Sequence, residues 1–412
     1  MKSYWLYLES YSFIFEGVQG LIIYNTLSGS VVTDNRDFEV KDFIRKLMLP
    51  DNGYCILLTE EQLEHPAVLN FVSELRDTFS GDFIDTSLSK GKPFIFKPIL
   101  NLLNDPEKVK DEKGYTLRED VLECVHEVNF YFSSPCQQKC VHCQDYYKQF
   151  LYCSSLSKES VLCLVEYQQL LDRFSTIGLK KINLLGGNLY DSDLFRGFLN
   201  LLAQYDFEVD IYIHITHLNE AIIPLLLERN NITLIVLADG EVNNMKIEEA
   251  EAFLSRISHT WRFVISSIPE YVRFGDYIDS YGLQGSVIPF YNGNNQEFFI
   301  DNVYLSLEDI LLNPIGKQQI FTRQVMNENF FGKLTIMPNG DVYANVNVKV
   351  LGNLKSNSLN ELVYKEMSQK ESWFLKRENQ PCCDCVYKLL CPSPSNYELA
   401  IGKMNLCTIL SD

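Results

Sequence analysis

Cys136-Gln137-Gln138-Lys139-Cys140-Val141-His142-Cys143 spaces three cysteines as C-x3-C-x2-C. Three thiolates this close can bind three irons of one cubane cluster and leave the fourth iron open to an outside ligand. The run before them, His126-Glu127-Val128-Asn129-Phe130-Tyr131-Phe132, reads as a buried strand, so the cysteines sit on a loop leaving a strand's carboxyl end. Ligands favour that end of a parallel sheet. Two other uses of the triple stay open: a zinc knuckle completed by His142, and three buried structural cysteines.

From Cys124 onward strands and helices alternate, the signature of a parallel sheet with crossover helices. After the cysteine loop, Ser157 is expected to cap a helix of about twenty residues ending at Gly178. Lys181–Leu185 reads as a strand running into Gly186-Gly187-Asn188, with Asp191 capping the next helix through about Tyr205. Further strands are expected at Glu208–Ile215, Ile232–Ala238, Trp261–Ser267 and Ser286–Tyr291, with helices at Glu220–Arg229, Lys246–Ser258 and Glu270–Tyr281. That makes six strands where eight would close a full barrel. His214 and His217 lie at the end of the third of these strands, facing where a ligand would sit, but lone histidines are more often polar packing than catalysts.

The flanks differ in character. Ahead of the alternation, Tyr11–Phe15 and Leu21–Tyr24 read as short strands around a turn at Leu27-Ser28-Gly29-Ser30. Thr59 with Gln62 fits a capping box, Pro66 suits a first helical position, and Val68, Phe71, Val72, Leu75 and Phe79 continue at helical spacing until Gly81 closes the helix. Lys90–Glu119 reads as a linker. Behind the alternation, Asn302–Gln324 looks helical and connective. Lys333–Met337 and Asp341–Tyr343 flank a Pro338-Asn339-Gly340 hairpin turn, and a helix is expected near Leu359–Met367. The stretch from Cys382 to the end holds five of the chain's 12 cysteines, Cys382, Cys383, Cys385, Cys391 and Cys407. A metal cluster tying Cys382 to Cys407 could order a tail with so little apolar content of its own.

At 412 residues the chain is long enough for two or three domains with sizeable cores. A 46% hydrophobic share with 14 prolines argues for an ordered globular protein. With 36 Lys and Arg against 54 Asp and Glu, the net charge of −18 lacks the footprint of a nucleic-acid or anionic-membrane binder. The start, Met1 to Glu9, shows neither a long apolar h-region nor a small-residue cleavage site, and no run of about 18 apolar residues suggests a membrane span. Clustered, metal-like cysteine spacing then leads us to expect a cytoplasmic protein.

The strand ending in N-F-Y-F-S-S-P-C-Q-Q-K-C-V-H-C resembles the cluster loop of radical S-adenosylmethionine (radical SAM) enzymes. The resemblance implies a [4Fe-4S] cluster on Cys136, Cys140 and Cys143, the catalytic cysteines, with S-adenosylmethionine on the open iron and His142 beside the adenine; His142 also reads as a solvent-facing loop residue. Gly186 and Gly187 match the family's G-G-E stretch, which presents backbone groups to the SAM amino group; Asn188 stands in place of Glu. A tight strand-to-helix turn would select Gly-Gly-Asn as well. Cys382-x2-Cys385-x5-Cys391 with Cys407 resembles the SPASM extension of radical SAM peptide maturases and implies one auxiliary [4Fe-4S] cluster. Asn345 and Ser395 fill positions where a second auxiliary cluster would need thiolates. A zinc ribbon is the competing use of the tail, and Cys383 could replace Cys382.

The whole chain looks most like the pseudo-radical-SAM/SPASM proteins that accompany GG-leader peptides in Bacteroidales. The implied fold is α/β: a small α+β, winged-helix-like peptide-recognition domain with linker at 1–115, a partial (β/α)6 radical SAM barrel at 116–295, and a connector with SPASM-like cluster domain at 296–412. The implied function is an oxidoreductase-type maturase that splits SAM to a 5′-deoxyadenosyl radical and modifies a ribosomally made precursor peptide (RiPP maturation). Its leader would bind the N-terminal domain, and flavodoxin or ferredoxin would serve as reductant. The alternative is a pseudoenzyme that holds the leader for a catalytic partner.

Overall fold

The computed structural model describes residues 2–89, 91–95, 98, 121–133, 136, 143, 147–153, 162–227 and 229–409. Cys140, His142, Ser157 and most of the expected linker lie outside them. The first strands are β1 (Ser3–Leu8), β2 (Ser12–Gly17), β3 (Gly20–Asn25), β4 (Val31–Thr33), β5 (Cys55–Thr59) and β6 (Gly81–Asp85). They form two antiparallel sheets, β5-β1-β6 and β2-β3-β4. The helices Phe38–Met48 and Pro66–Asp77 bury Val40, Phe43, Ile44 and Leu47, and Val68, Phe71, Val72 and Leu75, in one core with Leu6 and Leu8. The Thr59–Gln62 capping box forms and Pro66 opens its helix. Gly81 does not close that helix, however. The helix ends at Asp77, the chain reverses through Phe79 at φ +54°, and Gly81 pairs with Leu8 as the first residue of β6.

The alternation continues as β7 (Glu127–Tyr131), β8 (Lys181–Leu185), β9 (Glu208–His214), β10 (Ile232–Ala238), β11 (His259–Ile265) and β12 (Gly285–Pro289), six parallel neighbours in chain order. Period-2 side-chain alternation gives this sheet two buried faces. Val128, Phe130, Ile182, Leu184, Ile211, Val236 and Phe263 face the helices. Tyr131, Leu185, Tyr212, Leu237 and Val264 face the other way, where Tyr152, Cys153 and Phe290 cover them. Two helix starts differ from expectation. The helix after the cysteine loop is Leu164–Thr176, where Glu166 Oε2 accepts the Cys163 N–H at 2.7 Å; its end near Gly178 is as read. Ser192 rather than Asp191 caps the helix Asp193–Leu202, because Leu189–Asp191 form a tight turn of their own. In place of the helix expected at Glu220–Arg229, the described residues form a short 3-10 turn and the helix Ile223–Leu226, with Pro224 near its start.

The tail hairpin is part of the same sheet. β13 (Lys333–Ile336) pairs in parallel with β7, and β14 (Asp341–Tyr343) and β15 (Gly352–Asn353) follow antiparallel. Among the described residues one nine-stranded sheet results, in the order β12-β11-β10-β9-β8-β7-β13-β14-β15. The helices Gln296–Asn302, Leu307–Leu312, Lys317–Val325 and Leu359–Gln369 match the expected connector and tail helix. No described helix is long and apolar enough to cross a membrane.

Candidate functional site

Cys136 lies past the carboxyl end of β7, and its Sγ stands 3.4 Å from His217 Nε2. His217 ends the short turn that follows β9, so Cys136 reaches across the carboxyl edge from β7 to β9. Sequence reasoning set His217 aside, because nothing local distinguishes a packing histidine from one facing a thiol. Cys143 packs, partly buried, against the Tyr131–Tyr152–Leu185 cluster. The structure therefore brings two of the three expected cysteines to this edge. Cys140 and His142 are outside the described residues.

Gly186 and Gly187 are buried at the end of β8, at φ +142° and +75°. A Cβ at Gly186 would collide with the Phe132 carbonyl oxygen and lie 2.9 Å from Phe132 N, so the neighbouring strand end alone demands glycine there. The Gly187 N–H donates to the Cys153 carbonyl. Asn188, half-buried, opens the Leu189–Asp191 turn without a side-chain cap bond. Segment 147–153 lies over this end of the sheet. Gln149 joins it to the end of β12, donating from Nε2 to Tyr291 O at 2.7 Å and accepting Tyr291 N–H at 2.8 Å. Nearby, His214 Nε2 stands 3.2 Å from Asp239 Oδ2 and its Nδ1 stands 2.8 Å from Thr216 Oγ1, with both ring and carboxylate almost fully buried.

The tail cysteines converge. Cys382, Cys385, Cys391 and Cys407 line one small cavity beside Arg377. Cys383 is not among the lining residues, which separates it from its neighbour Cys382. Burial raises the Cys382 and Cys385 thiols and pushes Cys391 up to about 12, while the Arg377 guanidinium pulls each of them the other way. Unliganded, these groups stay protonated near neutral pH, and metal binding would release protons. Two N–H donors point at the sulfurs: Gln19 Nε2 lies 3.4 Å from Cys385 Sγ, and Arg377 Nη1 lies 3.8 Å from Cys382 Sγ. Arg377 is held in turn by Glu398 at 2.8 Å, whose other oxygen accepts the Ser395 N–H at 2.6 Å.

Convergent buried thiols with N–H donors to sulfur fit the donor set of an iron–sulfur cluster, whose potential such bonds tune. Among the described residues no three His, Cys, Asp or Glu side chains stand close enough to hold a single metal ion. No disulfide forms among the described cysteines. The positions of the missing thiolates also come together. Asn345 is buried and donates to Asn396 Oδ1 at 2.7 Å, beside Ser395, and Asn347 donates to the same oxygen at 3.0 Å.

No protein-family model matches the chain, and no curated protein matches it. Among solved structures it is similar to SuiB of Streptococcus suis, at 12% identity and a TM-score of 0.46, over 98% of this chain and 100% of that one. A structure of SuiB bound to precursor peptide SuiA gives 13% identity and 0.45, over 97% and 98%. One of SuiB bound to S-adenosylmethionine gives 12% and 0.45, over 97% of each chain. At this identity, and with TM-scores below 0.5, the functional reading rests on this chain's own residues.

Proposed function

We propose that the chain is a radical SAM peptide maturase, with a cluster on Cys136, Cys140 and Cys143 and one auxiliary cluster on Cys382, Cys385, Cys391 and Cys407. The observation that carries the reading is Cys136, past the carboxyl end of β7 in a run of six parallel strands, with its sulfur against His217 after β9. When bound, the first cluster would supply the electron that splits SAM to a hydrogen-abstracting 5′-deoxyadenosyl radical. The chain's own share is positional. His217 sits against the Cys136 sulfur, and the apolar layer of Tyr131, Leu185, Tyr212 and Leu237 excludes water beneath the site. Four thiolates on the auxiliary cluster would leave it no open iron, and its role would be electron transfer or structure. The edges of the β5-β1-β6 sheet offer a leader peptide a strand to pair with.

The pseudoenzyme reading has its own support. Asn188 replaces the family's Glu, and the Gly187 N–H is already given to Cys153. Anaerobic reconstitution, metal analysis and assay of 5′-deoxyadenosine with the cognate peptide decide between the two. The maturase reading expects SAM cleavage that Cys140→Ala abolishes. An iron-loaded wild type that makes no deoxyadenosine leaves the peptide-holding reading in its place.

A further inference from the structure

The β2–β3 hairpin belongs to the tail as much as to the N-terminal unit. Phe13, Ile22 and Tyr24 share a buried cluster with Ile310, Ile320 and Val386. Tyr24 Oη donates to Ile315 O at 3.1 Å and accepts Ile315 N–H at 2.8 Å. At the hairpin tip Val18 N–H donates to Asp384 O at 2.8 Å. Gly17 comes so near that a Cβ would collide with Val386 N and lie 2.6 Å from Asp384 O. Gln19 completes the clamp with both ends of one amide: Oε1 accepts Val386 N–H at 2.9 Å, and Nε2 points at Cys385 Sγ.

We propose that Gln19 is a positioning residue of the tail cysteine site, donating a hydrogen bond to the Cys385 sulfur of a cluster held there and coupling metal loading of the tail to docking of the hairpin. The inference rests on the auxiliary-cluster reading above. An N–H donor to a thiolate sulfur favours the more negative, reduced state, so removing it lowers the reduction potential. Gln19 is neutral and brings this dipole without a new charge. The coupling follows from geometry. The clamp grips Asp384, Cys385 and Val386, so ligation that orders this turn favours the docked hairpin, and by linkage a docked hairpin favours ligation to the same degree. The two sheets of residues 2–95 share chain connections and packing, so ligand binding to that unit has a physical route to the tail metal site.

The test uses the full chain with Cys136, Cys140 and Cys143 replaced by Ala, reconstituted anaerobically, so that tail metal alone is read. Gln19→Glu removes the donor and keeps an acceptor for Val386 N–H; Gln19→Met removes both. Both should lower the midpoint potential by at least a threefold change in the one-electron reduction equilibrium, about 28 mV at 59 mV per tenfold. Amide exchange at Val18 should slow on iron loading, and Gln19→Met should lose that protection while Gln19→Glu retains most of it. Unchanged potentials in iron-loaded variants would overturn the sulfur bond. Val18 exchange indifferent to iron in the parent would overturn the coupling, and this arm stands even if a variant takes up no metal. A parent tail that holds zinc or no metal overturns the proposal together with the reading beneath it, and metal analysis distinguishes that failure from the others.

Discussion

Gly186→Ala separates a glycine demanded by packing from one demanded by a ligand. The new methyl would meet the backbone of Phe132, with N at 2.9 Å and O closer still, and backbone cannot swing aside as a flexible side chain can. The residue would also sit at φ +142°, which L side chains rarely adopt. Such backbone strain costs about 1–3 kcal/mol. Overpacking at a site this rigid adds about 1–3 kcal/mol. The expected loss is therefore about 2–6 kcal/mol, and at roughly 2–4 °C per kcal/mol for a unit of this size the melting temperature should fall by about 4–24 °C. Calorimetry with and without S-adenosylmethionine reads this directly. The packing argument predicts the same loss in both conditions. A variant as stable as wild type, impaired only in SAM affinity, would refute it and show that the glycine serves a ligand.

Asn188→Glu should tighten SAM binding by titration calorimetry if the turn takes the family's role, since an ionised acceptor roughly doubles a hydrogen bond's strength; unchanged affinity would leave the turn purely structural. Cys391→Ala should remove about four irons per reconstituted chain and Cys383→Ala none, because Cys391 lines the tail cavity and Cys383 does not. Trp373→Ala should cost about 3–5 kcal/mol in denaturant unfolding, since the ring is fully buried and its Nε1 donates to Lys333 O at 2.9 Å. Glu366 is buried, and burial raises its carboxyl against the pull of the Trp373 and Ser372 N–H groups at 2.7 Å. Its contribution to stability is full below the usual glutamate range and lost as pH rises through the raised folded value. Glu366→Gln, which keeps an acceptor oxygen, should gain on wild type across that window, whereas parallel melting profiles from acid to neutral pH would refute the assignment.

The sequence by itself determined what depends on near neighbours. Alternating strand-like and helical runs marked six strands along the chain, because each is a short apolar run buried on both faces. Cap chemistry found Thr59 and Pro66, and cysteine spacing singled out the four tail residues that line one cavity. Local signals failed where a closer competitor existed, as when Ser192 displaced Asp191 as a cap and β6 claimed Gly81. Only the tertiary structure decided the rest. Pairing β13 with β7 joins residues over two hundred positions apart, Gln19 meets Cys385 with 366 positions between them, and His217 meets Cys136 across 81. Neither Gln19 nor His217 carries a distinctive neighbourhood in the chain. A glutamine on a hairpin tip is an ordinary solvated residue until packing of Phe13, Ile22 and Tyr24 against the tail brings it to a sulfur, and burial of that apolar surface is a property of the assembled fold.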